Sequence, residues 1–303
     1  MTMPDGMSKS LKRIALLPAA SMVLAWVPIF IRLAAEGDVP ALIIAFDRLM
    51  IAAVALTLYV VFFRRQTLAG FRGRALIAAI CAGLLFGFHV YTYVLAVKYT
   101  TVANSMLLLA TIPMFAAVLG HFFLKEKPHP LSYAGILLAM AGTALVVWGD
   151  LRWDPEHLKG DLFGLISAVL GAGYFLMRRI VPKKDLREFV PYILIVYVVS
   201  MIVLLLTVLV SGQAGRIFGH PPITWLWFFI LGTFGTVLGH SLFNKALDYF
   251  KAHVAGSWIL TEPIISAMLA WIILAEAFNR HVLWGVVPIY VGVVWILWLE
   301  RER

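Results

Sequence analysis

The chain has 303 residues, 62% of them hydrophobic and 14% charged, and its mean hydropathy is +0.92. That leaves too little polar surface to cover a soluble globule of this size, so the composition excludes a water-soluble enzyme or binding module and places the chain in a bilayer. The net charge of +9 comes from basic residues in short segments between apolar runs, a topology signal and not a nucleic-acid footprint, and the lone Cys81 excludes an internal disulfide or thiolate metal site.

Runs of about 20 apolar residues cross a hydrocarbon core of roughly 30 Å. They predict ten helices: α1 near 13–34, α2 near 40–63, α3 near 74–97, α4 near 101–124, α5 near 129–149, α6 near 160–180, α7 near 189–210, α8 near 223–247, α9 near 252–275 and α10 near 281–300. No small-residue cleavage site follows α1, so it is read as a retained helix and not a signal peptide. Nothing is left over for a soluble domain, and the expected fold class is an all-α membrane protein.

With the N-terminus in the cytosol, the cytosolic segments hold 18 Lys and Arg and the outer segments 6, with Arg48 inside a helix. The cytosolic set is Lys9, Lys12, Arg13, Arg64, Arg65, Arg72, Arg74, Lys125, Lys127, Arg178, Arg179, Lys183, Lys184, Arg187, Lys245, Lys251, Arg301 and Arg303. This bias satisfies the positive-inside rule and puts both termini inside, in a cell inner (cytoplasmic) membrane.

Two stretches share a framework at a constant offset of 150: Ala96, Tyr99, Thr111, Pro113, Glu126, Gly135, Gly142 and Trp148 recur as Ala246, Tyr249, Thr261, Pro263, Glu276, Gly285, Gly292 and Trp298. The chain therefore divides into a first repeat, 1–150, with α1–α5, and a second, 151–303, with α6–α10. Five helices is an odd number, so the second repeat enters the membrane from the opposite side. Inverted repeats are the usual route to alternating access in transporters.

The segment Phe46-Asp47-Arg48-Leu49-Met50-Ile51-Ala52-Ala53, the run from Pro113 to Glu126, its partner from Glu262-Pro263 to Glu276, and the glycine pairs Gly135/Gly142 and Gly285/Gly292 resemble the ten-helix EamA-type branch of the drug/metabolite transporter superfamily. The resemblance covers essentially the whole chain. It implies a transporter of small metabolites and a central cavity lined by α1, α3, α4, α6, α8 and α9. It is specific for fold and not for substrate.

Pro113 and Pro263 lie mid-helix, where each ring removes a backbone donor and frees a carbonyl one turn earlier, so α4 and α9 are expected to kink at matching depths and act as hinges. A bend that only improves packing is the alternative. Gly83 and Gly87 in α3, Gly235 and Gly239 in α8, and the pairs in α5 and α10 are read as close-packing positions.

Glu262, ten residues into α9, stands about 15 Å along it, near the midplane. A carboxylate there costs at least roughly 3 kcal/mol and is expected to face a cavity or be neutralised. The first repeat has Ile112 at the matching position, and this asymmetry points to chemistry and not scaffold; a bond to backbone freed by Pro263 is the alternative. His89 and His240 occupy comparable places in α3 and α8, either as proton relays or as hydrogen-bonding contacts between helices. Around them Trp26, Tyr93, Asn104, Tyr174, Asn244 and Trp258, with Tyr91, fall on the helices that the resemblance assigns to the cavity. Trp258 is one turn before Glu262, and an aromatic wall beside a carboxylate suits an ammonium group. Arg48 is read as structural, and Glu126 and Glu276 as interface residues, the first paired with Lys125 or Lys127.

No GxxxxGK[ST], HExxH or GxSxG sequence is present, so no ATP hydrolysis, metalloprotease or serine-hydrolase chemistry is expected, and no cofactor. The expectation is a secondary transporter, working as a monomer and exporting small metabolites, amino acids or related amines first among them. Substrate and proton compete for Glu262 in this reading. Alternatives are a lipid or lipid-carrier translocase, which requires a lateral opening, and a non-transporting membrane scaffold.

Overall fold

The structure, a computed structural model, describes residues 5–64, 71–148, 155, 157–181, 189–273 and 280–300. Glu276, the junction between the two expected repeats and the cations Arg65, Arg152, Lys183, Lys184, Arg187, Arg301 and Arg303 lie outside the described residues. Among the described residues there is no strand, and ten helices are long and apolar enough to span a membrane. They are α1 (Ala15–Ala34), α2 (Ala41–Phe63), α3 (Arg74–Tyr99), α4 (Val102–Leu124), α5 (Pro130–Val147), α6 (Leu158–Ile180), α7 (Phe189–Val210), α8 (Pro222–Ala246), α9 (Ala252–Ile273) and α10 (His281–Glu300). Their ends agree with the sequence expectation because lipid leaves little choice: every backbone amide in the hydrocarbon region must be paired within its own helix.

Interruptions within these spans set the interior. The α4 span breaks at Ala110 and Thr111, between Val102–Leu109 and Ile112–Leu124, and Pro113 sits in the first turn of the second piece, where an amide hydrogen would have no partner. In α9 the helix Ala252–Ser257 tightens to a 3₁₀ segment, Trp258–Thr261, before Glu262–Ile273, with Pro263 again just inside the new start. The two breaks stand at the same repeat position, as the paired prolines predict, and Gly256 packs against Pro113, so the broken helices cross there. The α1 span also breaks, at Ala25 and Trp26, with Pro28 in the first turn of its second piece, and α8 carries a π-helical stretch, Leu231–His240, a widening often associated with functional sites.

Neighbouring helices follow an exchange pattern. The pair α3–α6 has its counterpart in α8–α1, α3–α7 in α8–α2, and α4–α6 in α9–α1, while α2–α7, α4–α9 and α5–α10 each map onto themselves. The α5–α10 contact is the closest-packed of the last group. A Cβ on Gly142 would stand 2.9 Å from the Gly285 carbonyl oxygen, and one on Gly292 2.5 Å from that of Gly135, so only glycine permits this approach. Because Gly135 faces Gly292 and Gly142 faces Gly285, α5 and α10 run antiparallel.

Polar contacts gather the helix ends into two sets. At the end carrying the 2–3, 4–5, 6–7 and 8–9 connections, here the basic end, Arg178 and Asp248 form an ion pair with side chains 0% and 1% exposed. Arg178 also lies over the Tyr192 ring at 4.7 Å. Arg179 reaches Glu126 at 3.0 Å, which corrects the expected pairing of Glu126 with Lys125 or Lys127. Glu300 accepts from the backbone amide of His129 at 2.9 Å, Ser132 Oγ at 2.9 Å and Lys251 Nζ at 2.6 Å, with His253 Nε2 at 3.2 Å. At the opposite end Asp161 accepts from Thr100 at 2.8 Å and Asn104 at 3.1 Å, and Lys98 reaches the exposed Asp38 at 3.4 Å.

Candidate functional site

At the level of the two breaks, residues from seven helices enclose a cavity of about 40 Å³. Its polar wall is Arg48 from α2, His89 and Tyr93 from α3, His240 from α8 and Glu262 from α9. Apolar lining comes from α1, α4 and α6 among others, including Leu24, Val27, Leu109, Ile112 and Phe175. Since one water needs at least about 10–15 Å³, the space holds a few waters and is closed around anything the size of a metabolite.

Glu262 is the first residue of the second piece of α9, so the break itself turns its carboxylate inward and the helix N-terminus behind it favours negative charge. It is 8% exposed, and Oε1 has no hydrogen-bond partner. Ile112, its repeat counterpart, lines the same cavity. Arg48 is 1% exposed; its Nε donates to Thr236 Oγ1 at 2.7 Å, within the π-helical stretch, while Nη2 has no partner. The two groups share a cavity without an ion pair between them, each with polar capacity left over for a guest.

The histidines differ. His89 Nδ1 lies 2.8 Å from the Ser167 carbonyl, which can only accept, so that nitrogen carries the proton and the ring is fixed against α6. Its ring lies parallel to that of Tyr93. His240 stands edge-on to Phe86 at 4.7 Å, and its Nδ1 is unpartnered.

Of the residues expected in the site, Glu262, His89, His240 and Tyr93 come together at the cavity. Tyr174 and Asn244 form a layer behind it: Asn244 donates to the Tyr174 hydroxyl and to the His240 carbonyl at 2.7 Å, while the Tyr174 ring packs on Phe86. Trp26 stacks on Phe30 at 5.6 Å, away from the cavity lining. Trp258 lies in the 3₁₀ segment, where its carbonyl accepts from Ser21 Oγ at 3.1 Å, tying α9 to α1; it does not line the cavity either. Asn104 is an end residue, engaged with Asp161 and Thr101, and stands apart from the cavity. Arg48, read as structural, is instead a cavity wall. A signal was present in its position: it is the one Lys or Arg that the charge count assigned to neither side of the membrane.

A bundle of ten membrane-spanning helices, closed around an ionisable cavity and walled in part by the broken helices α1, α4 and α9, is the architecture of a multi-pass membrane transporter. The chain belongs to the EamA-like transporter family, which matches it over residues 11–148 and 158–298. It is 30% identical to the uncharacterised transporter YetK of Bacillus subtilis over 60% of this chain, a match that spans only 56% of that relative. An S-adenosylmethionine uptake transporter of Rickettsia bellii is 26% identical over 86% of this chain and 84% of its own length. Purine permease 3 of Arabidopsis thaliana is 24% identical over 72% of this chain and 69% of its own length. One solved crystal structure matches the fold with a TM-score of 0.74 at 17% identity, covering 96% of this chain and 99% of that one.

Proposed function

We propose that this chain is an alternating-access carrier for small metabolites, amino acids and related amines first among them with zwitterions preferred, exporting them across the inner membrane as a monomer. One observation carries the substrate class. Arg48 and Glu262 face a single buried cavity with unpartnered Nη2 and Oε1 atoms and no ion pair between them. A guest carrying both a carboxylate and an ammonium group would satisfy both. S-adenosylmethionine, the solute in the name of the Rickettsia relative, carries such a head group. The antiparallel run of α5 against α10 and the exchange pattern of helix contacts support two inverted five-helix halves. Pro113 and Pro263 are the hinges of this scheme, because the breaks beside them let each half-helix tilt while the cavity opens. Export, with the basic end cytosolic, is the direction of this reading, whereas the Rickettsia relative is named for uptake.

The test is counterflow in proteoliposomes with a labelled panel of amino acids, amines and S-adenosylmethionine, comparing wild type with Glu262→Gln and Arg48→Gln. Each lost charge-assisted hydrogen bond is worth about 1.5–3 kcal/mol, so counterflow of a zwitterion should fall by roughly ten- to a hundred-fold in each folded variant. Unchanged counterflow in Glu262→Gln between about pH 6 and 8, a range spanning ordinary imidazole titration, would sink the reading.

A second reading, transport of a lipid, has one observation in its favour. An apolar crevice of about 360 Å³ lies between α2, α7 and α8, lined by Leu56, Tyr59, Ile193 and Ser241, and Ser241 is next in chain to the cavity residue His240. Counterflow of labelled phospholipid and of no zwitterion would favour it.

A further inference from the structure

Asp47 is a buried carboxyl that the cavity does not use. It is 0% exposed, and neither Oδ1 nor Oδ2 has a hydrogen-bond partner. Arg48, next in the chain, turns to Thr236 and the cavity. Helix α2 packs against α3, α7 and α8, and the ionisable groups on those helices are engaged elsewhere or unbonded to Asp47. On α3, His89 bonds Ser167, and Tyr91 and Tyr93 make no hydrogen bond to Asp47, while Lys98 pairs with Asp38. On α7, the Tyr197 hydroxyl donates to the Thr236 carbonyl, and the Tyr192 hydroxyl has no partner. On α8, His240 faces the cavity and Lys245 pairs with Asp248.

An ionised carboxylate enclosed with no donor and no cation is among the most costly arrangements a membrane interior can hold, so the enclosed side chain is carried as the neutral acid. A metal cation is a poor alternative occupant. Hard cations take about six or more oxygen ligands, and among the described residues no group of three His, Cys, Asp or Glu side chains is placed to hold a metal.

Helix α2 runs from Asp47 to a space open to water. At the end opposite the basic one, a polar vestibule of about 260 Å³ is lined by Pro40, Tyr91, Lys98, Gln213 and Arg216 among others. Pro40 caps the start of α2, and Asp47 lies seven residues further, two turns below it on the same helix face and about 10 Å deeper.

We propose that Asp47 is a proton-carrying site that couples transport to a proton gradient, separate from the cavity carboxylate Glu262. When the vestibule deepens to reach it, the acid gives its proton to water and the carboxylate is hydrated. When the carrier opens to the other side, Asp47 takes up a proton from that phase and is enclosed again as the acid, so each cycle moves one proton from one aqueous phase to the other and needs no other reactant. The proposal rests on the transporter class and not on the zwitterion reading.

The test uses wild type, Asp47→Asn and Asp47→Glu in proteoliposomes with the same labelled panel, followed once under an imposed pH gradient and once as counterflow at equal pH. Asp47→Asn is expected to keep counterflow within about two-fold while losing gradient-driven accumulation by at least ten-fold, and Asp47→Glu to restore it. Gradient-driven accumulation in Asp47→Asn equal to wild type, or no response of the wild type to the gradient, overturns the proposal. If no panel member is transported, the zwitterion reading fails and the infrared spectrum of the substrate-free protein still decides. A protonated-carboxyl C=O band present in wild type and Glu262→Gln but missing in Asp47→Asn supports the proposal, and an unchanged band overturns it. Should Asp47→Asn not fold, a shift of that band in Asp47→Glu is the supporting result and its absence the overturning one.

Discussion

The two ends of the bundle are closed by different chemistry. At the basic end the ties are ion pairs between buried or half-buried side chains: Arg178 with Asp248, Arg179 with Glu126, and Glu300 with Lys251 at the junction of α5, α9 and α10. At the other end, among the described residues, Asp161 gathers neutral donors, and the ion pair of Lys98 with Asp38 has an Asp38 side chain that is 91% exposed. Buried pairs are strongly coupled and costly to break one-sidedly, while exposed pairs contribute little. Among the described residues, the structure is therefore bolted at the basic end and only latched at the other.

Breaking that contrast gives a graded series, read by thermal unfolding in detergent followed through tryptophan fluorescence. The largest effect is expected for Asp248→Ala. It leaves Arg178 uncompensated in a buried site between Tyr192 and Phe189, and destabilisation of about 3–5 kcal/mol is the ordinary result of such a removal. A smaller loss than about 1 kcal/mol would mean that Arg178 reaches water on its own and that the basic end is not bolted. Next comes Glu300→Gln, which weakens the junction of three helices; about 2 kcal/mol is expected, since neutral hydrogen bonds can replace part of the network. Asp161→Asn at the opposite end should cost about 1 kcal/mol, because the amide oxygen still accepts from Thr100 or Asn104. Asp38→Asn sharpens the comparison from below: with the side chain in solvent and asparagine equally at home in the left-handed backbone at this position (φ 58°), no measurable shift of the unfolding midpoint is expected. A reversal of order between Asp248→Ala and Asp161→Asn would remove the distinction between the ends altogether.

Much of this architecture was legible in the chain itself. A bilayer demands long apolar runs, so α7 and α10 begin and end where hydropathy alone put them, and the repeated prolines located the breaks in α4 and α9. The site was legible in part. Glu262, His89 and His240 declared themselves as ionisable groups within apolar helices, and the cavity brings them together. Arg48 and Asn104 exchanged places, and the reason is physical. Which way a side chain points depends on helix rotation and on partners that are distant in sequence, Thr236 for Arg48 and Asp161 for Asn104, and neither partner follows from local pattern. The pairing of Glu126 with Arg179 was hidden for the same reason, since proximity in sequence favoured the flanking lysines and the packing of α4 on α6 supplied a guanidinium instead.

The contact of Gly135 with Gly292 and of Gly142 with Gly285 is symmetric in sequence. Under the offset of 150, swapping the two helices returns the same pair of contacts, the property of the isologous interface between identical subunits. Two separate copies of a single half, one upside down relative to the other, would meet through this same surface without inventing a new one. The seam inside the present chain is thus of the kind that a dimer of half-length proteins makes, and a gene fusion could have enclosed it unchanged.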